Sequence, residues 1–353
     1  MTPAGAVPSV AQVPALAQVP ALEQVLDGAR VVRLPLRVRF RGVDHREAVL
    51  LPGPYGWGEF APFVEYADAE AAWWLASALE RAHGPAAASV RTSVPVNATL
   101  PAVEPEQVAA VLARFPGCRT AKVKVAEPGR CLDDDVARVA QVRAVLGDGA
   151  AVRVDANGGW TVDEAERALR ALAGTGLQYA EQPCATVPEL VELAARLRRA
   201  GVPAPLAADE SIRRADDPFA VAATGAVEFA VLKVPPMGGV SRLLSVAARL
   251  ESDHGVRVVV SSALDTSVGI AAGVAAAAAL PRLDLACGLA TAGLLAADVT
   301  AEPMLAVEGH LPVRDVTPDG DLLRRWQAPP PRRAWWLERL ARCHALLRAG
   351  AAA

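Results

Sequence analysis

TAKVKVAEPGRCLDDDVARVAQVRAVLGDGAAVRVDANGGW (residues 120–160) sets two short apolar runs around one stretch of helical spacing. TAKVKV (120–125) and AVRVDAN (151–157) alternate with period two, as strands do. Between them DDDVARVAQVRAVLG repeats its apolar residues three and four apart and stops on Gly147. Strand, helix, strand is the parallel crossover unit, and it recurs in both directions along the chain. Further strands are predicted at SVPVNATL (93–100), QYAEQP (178–183), PLAAD (205–209), FAVLKV (229–234), RVVVSS (257–262) and LDLACGL (283–289). Helices such as TVDEAERALRALAG, PELVELAARLRRAG and SRLLSVAARLESDHG lie between them. Eight strands and seven helices predict an α/β fold, a modified TIM barrel of (β/α)7β form rather than an open doubly wound sheet. No GxGxxG follows the first strand, which argues against a dinucleotide site.

The flanks read differently. VVRLPLRVRF (31–40) and EAVLLP (47–52) predict a hairpin, GPYGWGEFAPF (53–63) a Gly-rich turn, and AEAAWWLASALERAHG (69–84) a helix. At the other end RRAWWLERLARCHALLRAG (332–350) predicts a helix whose Trp335 and Trp336 dock on the N-terminal section. The expected organisation is an α+β capping domain over 1–92, the barrel with its site over 93–300, and a tail over 301–353 returning to the cap. Residues 1–25, where AQVPAL occurs twice, are expected to be a poorly ordered lead-in.

Composition narrows the function. A chain of 353 residues that is 52% apolar can bury a sizeable core, and a net charge of −3 without any basic block argues against nucleic acid. Five scattered cysteines with no CxxC pair read as buried small residues of a reduced, cytoplasmic protein. No basic residue precedes Arg30, so a charged signal-peptide start is missing, and TSVGIAAGVAAAAALP is too short to span a membrane. The chain holds only three lysines, Lys122, Lys124 and Lys233, against 33 arginines. Arginine supplies charge anywhere, but only lysine can be made neutral near pH 7.

Barrel chemistry sits at the C-terminal ends of the strands. Lys122 and Lys124, Asp155, Glu181, Asp209 and Lys233 all stand there, on consecutive strands. Period two puts Lys122 with Lys124, and Arg153 with Asp155, on the inward face, with Val123 and Val154 outward. Three converging carboxylates repel without a cation, and an oxygen-only donor set selects a hard ion such as Mg2+. Making a free lysine neutral at pH 7 costs about 4.6 kcal/mol, and burial beside positive charge lowers that cost. Taken singly, a KxK strand is usually a solvated face and VDAN or EQP a strand end with turn chemistry. Only their joint placement predicts a site.

KVK, VDAN…W, AEQP, ADES, LKVPPMGG and SSALDTSVG resemble the muconate-lactonizing subgroup of the enolase superfamily over nearly the whole chain. Within it, RFRG…REAVLL…GWGEFAPF, RVDANGGW, ALDTSVGIAAG and CGLATAGLL are similar to the actinobacterial o-succinylbenzoate synthases. The resemblance implies a cap built from both termini and Mg2+ (Mn2+ as substitute) held by Asp155, Glu181 and Asp209, where it binds a substrate carboxylate. Lys124 would remove the α proton, giving an enediolate, and return it to the departing hydroxyl in a syn dehydration. The implied reaction turns 2-succinyl-6-hydroxy-2,4-cyclohexadiene-1-carboxylate into 2-succinylbenzoate, a step of menaquinone biosynthesis. Lys233 would stabilise the anion, and Lys122 would balance charge and shape the pKa of Lys124. Ser262 and the backbone around Gly288 and Leu289 are expected at the substrate carboxylate. Arg153 matches a family position or is an interior charge partner. Trp57 and Phe60 belong to a loop closing over the site or to the cap core, and Asp265 and Glu210 stand behind the ligands.

None of the five histidines lies at a strand end, which disfavours a His–Asp base, and ACGLAT lacks the acidic pair that would hold an α-ammonium. Two lysines on opposite faces also suit an N-succinylamino-acid racemase, and a muconate-type cycloisomerase comes third. A barrel that only binds is disfavoured by its five charged site residues. The partner expected is a small-molecule carboxylate, with no nucleic acid or membrane and with oligomeric state open.

Overall fold

A computed structural model of the chain describes residues 19–40, 42–213 and 217–351. The lead-in expected over 1–25 lies outside the described residues as far as residue 18. Beyond it the chain enters helix α1 (Leu22–Gly28). β1 (Arg30–Phe40) and β2 (Val43–Gly53) form the predicted antiparallel hairpin, and α2 (Asp68–His83) the predicted helix. The expected Gly-rich turn is instead a third strand, β3 (Gly56–Phe60), paired with β2. Its glycines serve close packing: a Cβ at Gly58 would lie 1.9 Å from the Ala78 carbonyl oxygen, and one at Gly53 2.1 Å from that of Ala82. The sheet therefore lies directly on the backbone of α2.

The predicted first barrel strand is two pieces. β4 (Ser93–Pro95) pairs outside the barrel, and β5 (Ala98–Leu100) opens it. There follow α3 (Val108–Leu112), β6 (Thr120–Lys124), α4 (Leu132–Leu146), β7 (Ala151–Asp155), α5 (Val162–Leu172), β8 (Leu177–Glu181) and α6 (Val187–Arg199). Next come β9 (Leu206–Ala208), α7 (Glu210–Arg213), α8 (Ala220–Ala223), β10 (Phe229–Lys233), α9 (Val234–Met237), α10 (Val240–His254), β11 (Arg257–Ser261) and α11 (Ser267–Ala279). Helices α5 and α6 start on capping boxes, Thr161 with Glu164 and Thr186 with Glu189. Strands β5 to β11 form one parallel sheet in chain order. The predicted eighth strand shrinks to two bridges: Cys287 exchanges backbone hydrogen bonds with the Val96 region, and Gly288 with the β11 end. These close the sheet into a barrel, filled inside by Tyr179, Ala207, Phe229, Val231 and Val259. After β12 (His310–Pro312, paired with β4) and α12 (Gly320–Arg325), the chain ends in α13 (Pro330–Ala351).

Helix α13 returns to the N-terminal elements. Trp336 is 1% exposed, stands edge-on to Phe60 with ring centroids 5.9 Å apart, and donates its indole N–H to Glu47 at 2.8 Å. Trp336→Ala is therefore expected to lower stability by about 3–5 kcal/mol, read from the denaturant midpoint at unchanged slope. Two cap carboxylates also seat on barrel helices. Glu80 accepts from the first N–H groups of α10 (Val240, Ser241), and Glu59 from Thr266 and Gly269 at the start of α11. Acids are favoured there because the first-turn N–H groups have no helical partner. Four of the five cysteines are buried, and the expectation fails for Cys131, which is exposed ahead of α4. Among the described residues no helix is long and apolar enough to cross a membrane.

Candidate active site

Register and parity bring the charged residues together. Lys124 pairs with Asp155 across β6–β7, Asp155 with Glu181 across β7–β8, and Asp209 is the first residue beyond β9. All six charged side chains are buried, at 0–7% exposure, which is rare for such residues unless they are paired. Lys122 donates to Glu181 (2.8 Å) and lies 3.2 Å from Asp155. Lys124 reaches Asp155 at 2.5 Å, and Lys233 reaches Asp209 at 2.5 Å.

The loops leaving four strands turn at once through left-handed non-glycine residues, Ala126, Asn157, Gln182 and Leu264 (φ 59°, 47°, 37° and 62°). Strained backbone of this kind gathers at functional sites. Two of these residues hold the site in place. Asn157 accepts from Lys124 and donates to Glu210 (3.2 Å), while its own N–H bonds Asp155 (3.1 Å). Gln182 takes the Asp209 N–H (3.0 Å) and donates to the Cys184 carbonyl (2.9 Å). These are the turn chemistries of DAN and EQP, visible in the sequence only as strand ends.

The electrostatics separate the groups. Burial opposes ionisation of Asp155, but Lys124 and Lys122 hold it well below the usual carboxylate range. Against the same burial, Lys233 and Arg213 bring Asp209 to about 2. Burial and the adjacent charge of Asp155 push Glu181 up to about 7. Burial would push Lys122 down, yet Glu181 and Asp155 raise it far above an ordinary lysine, so it stays charged.

Beside them is a cavity of about 30 Å³, lined by Lys122, Lys124, Asp155, Asn157 and Lys233, with Phe40 and Phe63 contributed from before the barrel; Glu181 and Asp209 lie behind this lining, bonded to Lys122 and Lys233. Thr99, Ser261, Ser262, Gly288 and Thr291 line it too. It shares Phe40, Lys124 and Asn157 with a wider cleft of about 550 Å³. Ser262 donates to the Gly288 carbonyl and lies 2.8 Å from the Thr291 hydroxyl. Sequence reasoning missed Phe40, Phe63, Thr99, Asn157, Gln182 and Thr291.

The structure distinguishes the readings left open for three of these places. The Gly288 backbone lines the cavity, whereas the Leu289 side chain does not and stands buried where a Cβ at Gly273 would fall. Arg153 sits one inward step below Asp155, donating to Asn97, Gln178 and the Ala286 carbonyl and stacking 4.7 Å from the Tyr179 ring centre. Among the described residues it pairs with no carboxylate. Phe60 is cap core against Trp336, and neither it nor Trp57 lines the cavity. Asp265 bonds the Ala263 N–H, and Glu210 bonds Asn157 and Arg213.

A divalent cation fits the donor chemistry. Three buried carboxylates on neighbouring strands, without His or Cys, suit a hard ion. As folded, lysine ammonium groups hold these carboxylates, and among the described residues no three acidic, His or Cys side chains already converge as a cage.

Residues 106–318 match the family described as Enolase C-terminal domain-like, and residues 31–82 that described as Enolase N-terminal domain-like. The chain is 57% identical over 324 residues to an o-succinylbenzoate synthase of Mycolicibacterium smegmatis, covering 92% of this chain and 97% of that one. It is equally identical to one of Mycobacterium tuberculosis, over 92% and 95%. Its structure is similar to muconate lactonizing enzyme from Pseudomonas fluorescens complexed with muconolactone, with TM-score 0.71 and 25% identity over 85% of this chain and 98% of that one. The likeness to muconate lactonizing enzyme from Pseudomonas putida (TM-score 0.70, 23% identity, 85% and 98%) bears on the fold alone. Barrel, cap and extended identity agree: this chain is an enzyme of the enolase superfamily and belongs to its o-succinylbenzoate synthase family of lyases.

Proposed function

We propose that this protein dehydrates 2-succinyl-6-hydroxy-2,4-cyclohexadiene-1-carboxylate to 2-succinylbenzoate, a step of menaquinone biosynthesis, in the cytoplasm and with Mg2+. The observation that carries the reading is one cavity lined by Lys124, Asp155 and Lys233, with the two lysines on strands either side of those carrying Asp155, Glu181 and Asp209, in a chain 57% identical to an o-succinylbenzoate synthase. Asp155, Glu181 and Asp209 would hold Mg2+, which when bound would supply the positive charge that acidifies a proton α to a carboxylate.

Lys124 stands at the cavity wall beside the wider cleft and takes the α proton. The C–O bond on the same face then breaks, and Lys124 returns its proton to the departing hydroxyl. Water leaves and the ring becomes aromatic. Lys122 does not reach the wider cleft as Lys124 does, and it offsets the charge of Glu181 and Asp155. Lys233 keeps its ammonium toward the developing anion. Ser262 and the Gly288 backbone form the wall on which a substrate carboxylate would rest.

Purified protein with the cyclohexadiene carboxylate should give the ultraviolet change of aromatisation. The paired lysines also favour N-succinylamino-acid racemisation, and efficient racemisation without dehydration would transfer the assignment to that activity.

A further inference from the structure

We propose that Arg213 is the positioning residue of this site and that Tyr66 is its link to the cap. The inference rests on the proposed cation site. Arg213, on α7, is buried and donates hydrogen bonds to three partners: Nε to Asp209 Oδ1 (3.1 Å), Nη2 to Glu210 Oε1 (2.6 Å) and Nη1 to the Tyr66 hydroxyl (3.0 Å), with Glu70 Oε1 4.0 Å from the same Nη1. The first two partners lead to the two lysines. Asp209 bonds Lys233 through Oδ2, and Glu210 accepts from Asn157, which in turn bonds Lys124. An unbroken run of hydrogen bonds thus joins Lys124, Asn157, Glu210, Arg213, Asp209 and Lys233 around the cavity.

The third partner belongs to another part of the molecule. Tyr66 lies in the segment between β3 and α2, its ring against Phe63 (centroids 5.7 Å apart) and Trp74 (6.1 Å). Arg339, buried on α13, donates to the backbone carbonyls of both Phe63 and Tyr66. Phe63 lines the cavity. The segment that walls the cavity therefore also holds the fork that orients Asp209. A planar fork hydrogen-bonded on three sides is held in one orientation, and with Tyr66 displaced Nη1 is free to turn toward Glu70, which loosens the Asp209 carboxylate. By linkage, a cation on Asp209 favours the seated cap, and the seated cap favours the cation.

The test is Mn2+ binding, read by the paramagnetic signal of the free ion, on the full chain and its variants. Tyr66→Phe removes one oxygen and keeps the ring, and should weaken Mn2+ binding about 3–10-fold, the scale of one ordinary hydrogen bond felt through Arg213. Arg213→Lys keeps the charge but not the fork, and should weaken it roughly 10–100-fold. On the Arg213→Lys background Tyr66→Phe should then change nothing further, because the route it acts through is already cut. A purely structural role would lower the melting temperature of Tyr66→Phe and leave Mn2+ affinity unchanged, which would overturn the inference, as would additive effects in the double variant. If Arg213→Lys does not fold, the single Tyr66→Phe titration decides. Parent protein that binds no Mn2+ would overturn the proposed function as well, whereas tight parent binding with an indifferent Tyr66→Phe would overturn this inference alone.

Discussion

Lys124→Arg should lose turnover by roughly a thousandfold or more, with product binding and fold largely kept. Arginine preserves the positive charge beside Asp155 and Asn157, so the ion pair that seats the residue survives. What it lacks is a neutral state near pH 7, so it can neither take the α proton nor hand it back. Lys233→Arg retains the charge wanted at the developing anion and should be the milder lesion in a one-base dehydration. In a two-base racemisation both substitutions should be severe. Turnover of both variants, with product affinity and circular dichroism as controls, separates these cases. Near-parental turnover in a folded Lys124→Arg protein would remove Lys124 from the role of base.

Stripping divalent cations with EDTA should abolish turnover, and Mg2+ or Mn2+ should restore it. Asp209→Asn should weaken cation binding by more than the roughly 10–100-fold typical of a residue standing behind a ligand. It removes a negative charge outright, and it also frees Lys233 and Arg213, both bonded to that carboxylate. The calorimetric titration of Mn2+ should therefore flatten while the melting curve stays cooperative. Full turnover in rigorously metal-free buffer would sink the enolase-type chemistry as a whole.

The barrel and its inward charges were legible because both depend on local periodicity. A period of two assigns Lys122, Lys124, Asp155 and Glu181 to one face of their strands whatever the rest of the chain does. Capping boxes and terminal glycines mark the helices between them in the same local way. Periodicity assigns a face and not a depth. Arg153 shares the Asp155 face, yet it lies one layer lower, among Asn97, Gln178 and Tyr179, away from every carboxylate of the site.

The apolar run at 283–289 read as a full strand, but only Cys287 and Gly288 bridge the ring. How much of a run enters a ladder depends on how nearly its two neighbours already meet. GPYGWGEF read as a turn from its glycines, whose actual use is to admit the backbone of α2.

By itself, then, the sequence determined the (β/α)7β order, the strand ends that carry Lys124, Asp155, Glu181, Asp209 and Lys233, and the scarcity of lysine elsewhere. These follow from residue type and spacing within single segments. Only the tertiary structure decided which ammonium meets which carboxylate, that Phe40 and Phe63 wall the cavity, and that Arg213 reaches Tyr66 across 147 positions of chain. Such contacts form because burying the cap's aromatic core against the barrel brings distant segments together, and no pattern within either segment records where the other will land.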